Sequence, residues 1–539
     1  MKAKRDYLSY IFAAFLAVCT VLITVAVFRG SLATLHSDTA IAPLLAKEQL
    51  ITGQLIPSTW YYAYEYWILD INLLILPFLK ITNNMMLSKQ IAVVLQTILL
   101  EAATYGYLKR VTQRKWALLG CILVISPLSF LQMEHFYFQA TYATTSLFAF
   151  LILLLADLFF ENNSLKKEMI WGVLLSALII ALGGGGIRTL GTVVLPLLGG
   201  LGLSALIHAK FHPLHLLKDK RTLIKIIVVG AAALGSILFG NALTSLGQTH
   251  GTNEMAIITY DQLIDRLHQF VTSFLQVYGC FEGKMLMTPA GVMGLFKLFL
   301  ALLSGIIVPV VLILRFPKLK KGQQIYLTYS VLSFVVIAYM MIFCNLTNSY
   351  YFLPIFVNNM ALICIFIDHF QKDILRILLW GVFCVLLPIS LYSCRFYAKY
   401  PYENIEKWAH FNTVDIGLLE FLQSEGLTFG FSDFFNAQAY TVASNGAVEI
   451  VSVEEHHARS EITGTFVSYL RRPHDARKWL SSSRWYQPDY HTGESFILVL
   501  TEFLTDIEKQ YFDQADRILT YNQYSIVVLP ENLMSYPWK

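Results

Sequence analysis

Charge is what this chain has least of. Only 14% of its 539 residues are Asp, Glu, Lys or Arg, where a water-soluble domain carries about 25%. That excludes an ordinary soluble globule. Cysteine is sparse and scattered, with seven in all. Cys19, Cys121, Cys344, Cys364 and Cys384 lie in or at the ends of apolar runs, and only Cys280 and Cys394 fall where they face a potentially oxidising compartment. No CxxC pair or Cys/His metal spacing occurs, which excludes a disulfide framework and a zinc site. No bound cofactor is expected, a divalent cation remains open, and nucleic acid is not an expected partner. Internal repeats, low-complexity tracts and long linkers are also missing. Met1-Lys2-Ala3-Lys4-Arg5 and the apolar run after it resemble a signal sequence. The run from Tyr10 to Phe28 is too long for one, and no small-residue cleavage site follows, so a retained first helix is expected.

What the chain does have is apolar length. Hydrophobic residues make up 56% of it, and several runs reach the roughly 20 residues that cross a bilayer. The pattern predicts about 11 transmembrane helices at 10–28, 91–107, 116–133, 140–160, 169–183, 190–208, 224–243, 292–314, 325–344, 350–370 and 374–392. Basic residues cluster in alternate connections: Lys109-Arg110 with Arg114-Lys115, Lys166-Lys167, Lys218 with Lys220 and Arg221, and Arg315 with Lys318, Lys320 and Lys321. Cytoplasmic loops are rich in Lys and Arg, so the N-terminus is placed inside. Trp67 to Leu79 is apolar but interrupted by Asp70 and Pro77. Counted as a span it inverts every later loop, so it is expected to lie on the outer face as a juxtamembrane helix. A twelve-helix chain is the alternative. From about Arg395 the composition becomes ordinary. Val448 to Val453, Phe496 to Leu500 and Tyr524 to Leu529 read as strands and Ile416 to Gln423 as a helix. These about 145 residues suffice for a small α/β domain. The expected division is thus a transmembrane part over 1–394, with outer loops at 29–90 and 244–291, and an extracytoplasmic α/β domain over 395–539.

The residues suited to chemistry gather in the outer connections. Asp38 follows the first span. Beyond it Ile41, Leu44, Leu45 and Ile51 recur at helical spacing, with Lys47 and Glu48 on another face, which predicts an amphipathic surface helix ended by Gly53 and Pro57. Asp38 reads either as a base or as a helix cap. Trp60-Tyr61-Tyr62-Ala63-Tyr64-Glu65-Tyr66-Trp67 reads either as an aromatic wall for a sugar or as an interfacial belt. Glu134 and His135, in a short outer loop, suit acid–base work or ordinary solvated polarity. Arg188 follows four glycines, Gly183 to Gly186. A cation at an outer edge suits a phosphate, and a snorkelling arginine is the alternative. In the long outer loop, Ile258 to Val277 predicts a second surface helix, and Lys284 is the best second phosphate ligand. Glu101 lies within a span, where acids are functional by default.

With these residues in place, the first 390 or so positions resemble the membrane-embedded glycosyltransferases of the GT-C class. These include protein O-mannosyltransferases, aminoarabinose transferases and bacterial surface-polysaccharide glycosyltransferases. The resemblance rests on Asp38, on Ala46-Lys47-Glu48-Gln49-Leu50 with Gly53, on the juxtamembrane helices, on Glu134, and on Tyr350-Tyr351-Phe352-Leu353-Pro354, which is similar to the class's Arg-Tyr-Leu-x-Pro stretch. Two departures stand out. One acid replaces the adjacent acidic pair of some relatives, and Ser349 stands where several have Arg. The resemblance implies a polyprenyl (undecaprenyl) phosphate sugar as donor and membrane lipid as surroundings. The implied acceptor is a surface polysaccharide, teichoic acid or protein, in a bacterial plasma membrane with the site on its outer face. It implies inverting transfer with Asp38 as general base, assisted by Glu134 and His135. Arg188 and Lys284 are the implied phosphate ligands, and Tyr61, Tyr62, Tyr64 and Tyr351 the implied sugar or acceptor contacts. A transporter or lipid-carrier flippase is the rival reading, but its polar mid-membrane path and matching broken helices are not evident here.

Overall fold

The computed structural model describes all residues except 1–6, 163, 209–218, 250–256, 281–287, 345, 347, 371–413, 461–465 and 539. Among the described residues, nine helices are long and apolar enough to cross a membrane. They are Tyr7–Gly30, Met85–Val111, Thr141–Glu161, Leu165–Gly185, Leu190–Ile207, Lys220–Thr244, Gly291–Leu314, Lys321–Phe343 and Ser349–Phe370. The expected span at 374–392 lies outside the described residues. The chain is a multi-pass helical membrane protein, with strands confined mostly to its C-terminal region.

The expected span at 116–133 needs correction. Arg114–Ile125 and Phe130–Phe138 together form a tenth apolar segment, but it bends by 94° between them. Pro127 lies in the break. It has no N–H to continue the helical ladder, and its ring disfavours helical geometry at Ser126. Ser129 starts the second piece, accepting at its Oγ a 3.2 Å hydrogen bond from the Gln132 amide. The segment expected to stay out of the bilayer forms Asn72–Thr82, 11 residues long. At 1.5 Å per residue that is about 16 Å, well short of a hydrocarbon core about 30 Å thick.

Ion pairs hold the basic connections together at one end of the bundle. Lys320 Nζ reaches Asp368 Oδ2 at 3.0 Å, and the Gln113 amide donates to Asp368 Oδ1 at 3.2 Å. Arg110 pairs with Asp157, and Lys321 Nζ lies 3.3 Å from Glu161 Oε1. Arg221 and Lys225 share Glu168, and Lys225 Nζ also donates to the Phe159 carbonyl at 2.8 Å. The candidate site residues therefore lie at the opposite helix ends.

That other end carries the C-terminal region. Its sheet runs in the order Glu449–Ser452, Phe429–Ser432, Ser495–Leu500, Tyr524–Leu529, Arg517–Tyr521. The first three strands are parallel and the last two close an antiparallel hairpin. Phe429–Ser432 and Tyr524–Leu529 are buried at every position, as strands covered on both faces are. The helix read at 416–423 is Ile416–Ser424, capped by Asp415 Oδ1, which accepts from the Leu418 amide at 3.2 Å.

This region corrects the surface-helix reading. Ser37–Thr52 is buried from Thr39 through Ala46 and again at Glu48 and Gln49. It does not lie on the bilayer with one face free, because Asn72–Thr82, Met85–Val111 and the C-terminal region pack around it. The Ser37 hydroxyl donates to the Phe434 carbonyl. Ser482 Oγ donates to Glu48 Oε1 at 3.0 Å, and an Arg484 nitrogen lies 3.4 Å from Glu48 Oε2. Gln49 Nε2 donates to the Leu55 carbonyl at 2.7 Å, and Asn72 Nδ2 donates to Gln49 Oε1 at 3.2 Å. The Glu48-Gln49 pair thus organises the whole 53–72 connection. Gly53 ends the helix at φ 67°, the left-handed geometry that glycine adopts without a Cβ clash.

Close helix packing explains one glycine of the 183–186 run. A Cβ on Gly183 would meet the Ser236 carbonyl oxygen at 2.0 Å, whereas a Cβ on Gly202 would meet nothing within 4 Å. Gly183→Ala should therefore destabilise the protein by about 1–3 kcal/mol. Gly202→Ala should leave stability unchanged or raise it, since alanine is the better helix former by about 1 kcal/mol. Thermal unfolding in detergent reads both, and equal melting points for the two variants would contradict the packing.

Candidate functional site

Asp38 occupies the first turn of Ser37–Thr52, where the helix N-terminus favours a carboxylate. It is not the cap. His36 holds that position, with φ −133° and ψ 172°, and its amide donates to Thr39 Oγ1 at 3.1 Å. Asp38 remains partly exposed. Its neighbours in the electrostatic sense are His36, His135, Glu134 and Arg477, and it also faces the Tyr350 hydroxyl. Loss of hydration is the largest influence and holds the Asp38 carboxyl above its ordinary value; Glu134 adds to it, while His36, His135 and Arg477 oppose it. Lys89, almost fully buried, donates from Nζ to the Thr39 carbonyl at 2.7 Å, one residue on.

Glu134 and His135 are not on a solvated loop. All six residues of Met133–Phe138 are buried, in a wide π-type turn, a feature common at functional sites. The 94° bend lays this turn across the bundle end. His36 Nε2 then lies 3.2 Å from Glu134 Oε1. His135 Nδ1 is 2.6 Å from Gln139 Oε1, and its ring centre is 4.6 Å from that of Tyr350. Tyr142 packs against both rings, at 6.1 Å and 5.7 Å.

Arg188 stands on the other side of Tyr142, its guanidinium 5.9 Å from the ring centre. It pairs with Glu65 and also faces Tyr350 and Tyr351. The glycine run permits close approach, but by protein rather than by ligand. The Tyr66 amide donates to the Gly184 carbonyl at 3.0 Å, and a Cβ on Gly184 would meet Ile68 at 2.9 Å. Glu65, Asp70, Thr141, Thr144 and Arg188 line a narrow cleft. Tyr350 is within electrostatic reach of both Asp38 and Arg188.

The aromatic segment plays a different part. Tyr61 extends the two-residue strand Trp60–Tyr61, which pairs antiparallel with Ser481–Ser482 of the C-terminal region. Trp60 packs edge-on against Trp485 at 5.8 Å. Tyr62 is buried against Tyr66, ring centres 4.6 Å apart, and is closed to a sugar. Tyr64 is exposed. Tyr351 packs on Tyr350 at 4.9 Å and is the one expected sugar contact at the centre. Lys284 lies outside the described residues. Glu101 Oε1 accepts from Thr20 Oγ1 at 2.6 Å, which ties two spans together. Leu263–Val277 forms the expected amphipathic helix, with Ile264, Leu267 and Val271 exposed. Among the described residues no group of three or more His, Cys, Asp or Glu is arranged to hold a metal.

The sequence alone assigns no site role to His36, Glu65, Asp70, Tyr142, Tyr350 or Arg477. His36 and Tyr350 adjoin residues it did select. Arg477 lies more than four hundred positions from Asp38, and no local pattern connects them.

No protein-family model and no curated protein matches the sequence. Solved structures do. ArnT from Cupriavidus metallidurans, bound to undecaprenyl phosphate, matches with a TM-score of 0.52 at 11% identity, over 96% of this chain and 97% of that one. An oligosaccharyltransferase of Archaeoglobus fulgidus, tethered with an acceptor peptide, matches with a TM-score of 0.44 at 12% identity. It covers 82% of this chain, and this chain spans 64% of its length. The same oligosaccharyltransferase with Zn and sulfate gives 0.45 at 10% identity, over 92% and 69%. These neighbours are GT-C glycosyltransferases, and the ArnT fold is the fold of this chain across nearly its full length.

The cleft supplies a pH test. Burial pushes the Asp70 carboxyl up to about 6, against hydrogen bonds from the Ile71 amide and the Thr144 hydroxyl. A carboxyl raised in the folded state binds its proton more tightly there than in the unfolded chain. Stability contributed by the protonated form is therefore lost as pH rises from about 4 to about 6. Asp70→Asn keeps an acceptor oxygen and removes this loss. Its melting point should exceed the wild type's at pH 7 and converge with it near pH 4. A constant difference across that range would contradict the assignment.

Proposed function

We propose that this chain is a glycosyltransferase of the plasma membrane of bacteria. It takes a sugar from a polyprenyl (undecaprenyl) phosphate donor and gives it to an extracytoplasmic acceptor of the cell surface, with inversion at the anomeric carbon. The observation that carries this reading is the single centre formed by Asp38, the His36–Glu134 contact, Tyr350 and Arg188 at one end of an apolar bundle. The shared fold with ArnT, which was solved with undecaprenyl phosphate, supports it. The basic connections lie at the other end and belong in the cytoplasm by the positive-inside rule, so this centre faces outward. The bundle over 1–394 is the catalytic part, and 395–539 is an extracytoplasmic domain resting on it.

The steps follow from the chemistry of the groups. Asp38 accepts the proton of an acceptor hydroxyl. That oxygen attacks the anomeric carbon from the face opposite the phosphate. The bond between carbon and phosphate oxygen breaks, and its electron pair stays on the phosphate. Arg188 exchanges Glu65 for the phosphate and offsets the developing charge, with Lys284 as a second cation. Glu134 and His135 shape the Asp38 environment, and Tyr351 offers a ring to the sugar. The acceptor is a surface polysaccharide, teichoic acid or protein. Membrane lipid surrounds the donor's chain.

General-base catalysis contributes about 10²–10⁴-fold. Asp38→Asn should lose transfer by that factor in membranes supplied with undecaprenyl-phosphate sugars, while melting like the wild type. Mass spectrometry of surface polymers from cells carrying each form reads the same loss, and near-normal glycosylation by the variant would refute the role. Arg188→Ala should bind undecaprenyl phosphate about 10–100-fold more weakly, the worth of a charge-assisted hydrogen bond. Unchanged affinity would remove Arg188 from the phosphate site.

A further inference from the structure

Phe434 and Arg477 of the C-terminal region lie beside the helix turn that carries Asp38. The Ser37 hydroxyl, next to Asp38, donates to the Phe434 carbonyl. The Arg477 guanidinium lies 4.5 Å from the Phe434 ring centre and 4.6 Å from that of Trp479. Its side chain is 15% exposed and pairs with Glu455. Glu455 in turn accepts from the Phe434 amide at 2.8 Å. Two aromatic faces and a carboxylate therefore fix a planar cation beside the first turn of the Asp38 helix, an arrangement that suits Arg and not Lys.

We infer that Arg477 is a positioning residue of the catalytic centre, contributed by the C-terminal region, which keeps the Asp38 carboxylate ionised and aimed into the site. The inference rests on Asp38 being the general base. From the bundle, Asp38 is faced by His36, Glu134, His135 and Tyr350, and Lys89 reaches the adjoining Thr39 carbonyl. From the C-terminal side it is faced by Arg477, behind which stand Glu455 and Asp433. Arg477 is the guanidinium among these groups, and two rings and Glu455 hold it in place. A base raised by burial needs such a partner to be ready near neutral pH. The C-terminal region is then half of the active centre.

The test is a titration of Asp38 in the full-length protein in lipid nanodiscs, read as the carboxyl infrared band present in wild type and absent in Asp38→Asn. Arg477→Gln should raise the Asp38 midpoint by about one pH unit, the usual effect of losing a nearby opposite charge. Arg477→Lys, which keeps the charge but not the planar stacking, should restore only part of it. Glu455→Gln, which releases the guanidinium and removes a negative charge, should lower it. A folded Arg477→Gln protein with an unmoved midpoint would overturn the inference. If Arg477→Gln does not fold, an upward shift or no shift in Glu455→Gln does so instead. Transfer by Asp38→Asn is scored separately. Full activity there would refute the general base while leaving the titration result standing.

Discussion

The contact between His36 and Glu134, 3.2 Å long and nearly closed to water, is the one around which the site is built. Burying a carboxylate is costly, and this contact brings together the two segments that carry these residues. Glu134 can reach His36 only because the chain turns by 94° after Ile125. A straight helix from Arg114 would carry Glu134 along the bundle axis and not across its end. One proline in the wrong place for a span, Pro127, thus delivers an acid to the start of the Asp38 helix. His135 arrives with it and brings Tyr350 and Tyr142 into packing range. Tyr142 then links the Asp38 side to Arg188.

A second constraint comes from covering the Ser37–Thr52 helix. Its polar residues are spent on protein partners. Glu48 takes Ser482 and Arg484, Gln49 takes Leu55 and Asn72, and Ser37 takes Phe434. The C-terminal region is therefore bonded to the helix that bears Asp38 at both ends of that helix. Asn445 adds a further tie, accepting from the Met85 amide at 2.9 Å and donating to the Asn83 carbonyl at 2.9 Å. Motion of the C-terminal region relative to the bundle would move the turn that carries Asp38 directly.

Much of this was legible in sequence, for physical reasons that can be named. Membrane spans announce themselves by length and apolarity, and the alternating basic connections orient them. The strand at 524–529 and the helix at 416–424 carry local signals that survive folding. Asp38, Glu134 and Arg188 stand out because polar residues are rare in such a chain and conspicuous between its spans. What stayed hidden depends on distant partners. Ile41, Leu44 and Leu45 read as a lipid-facing stripe, yet they are buried, in a helix packed on Asn72–Thr82, Met85–Val111 and the C-terminal Gln438–Ala443. Trp60 and Tyr61 read as a sugar wall or belt and turned out to be strand partners of Ser481 and Ser482. Glu65, hidden among aromatics, is the present partner of Arg188. The Pro127 break was readable and was overridden by the apolarity around it.

The central claim is that a lipid-linked phosphate enters beside Tyr142 and Tyr350, with its sugar presented to Asp38. An experimental structure of the full chain with undecaprenyl phosphate tests this most directly. The account predicts the phosphate against Arg188, with Glu65 displaced from the guanidinium and the phosphate's free face turned toward Asp38. A phosphate bound away from this end of the bundle, or one seated with the Glu65–Arg188 pair intact, would contradict it.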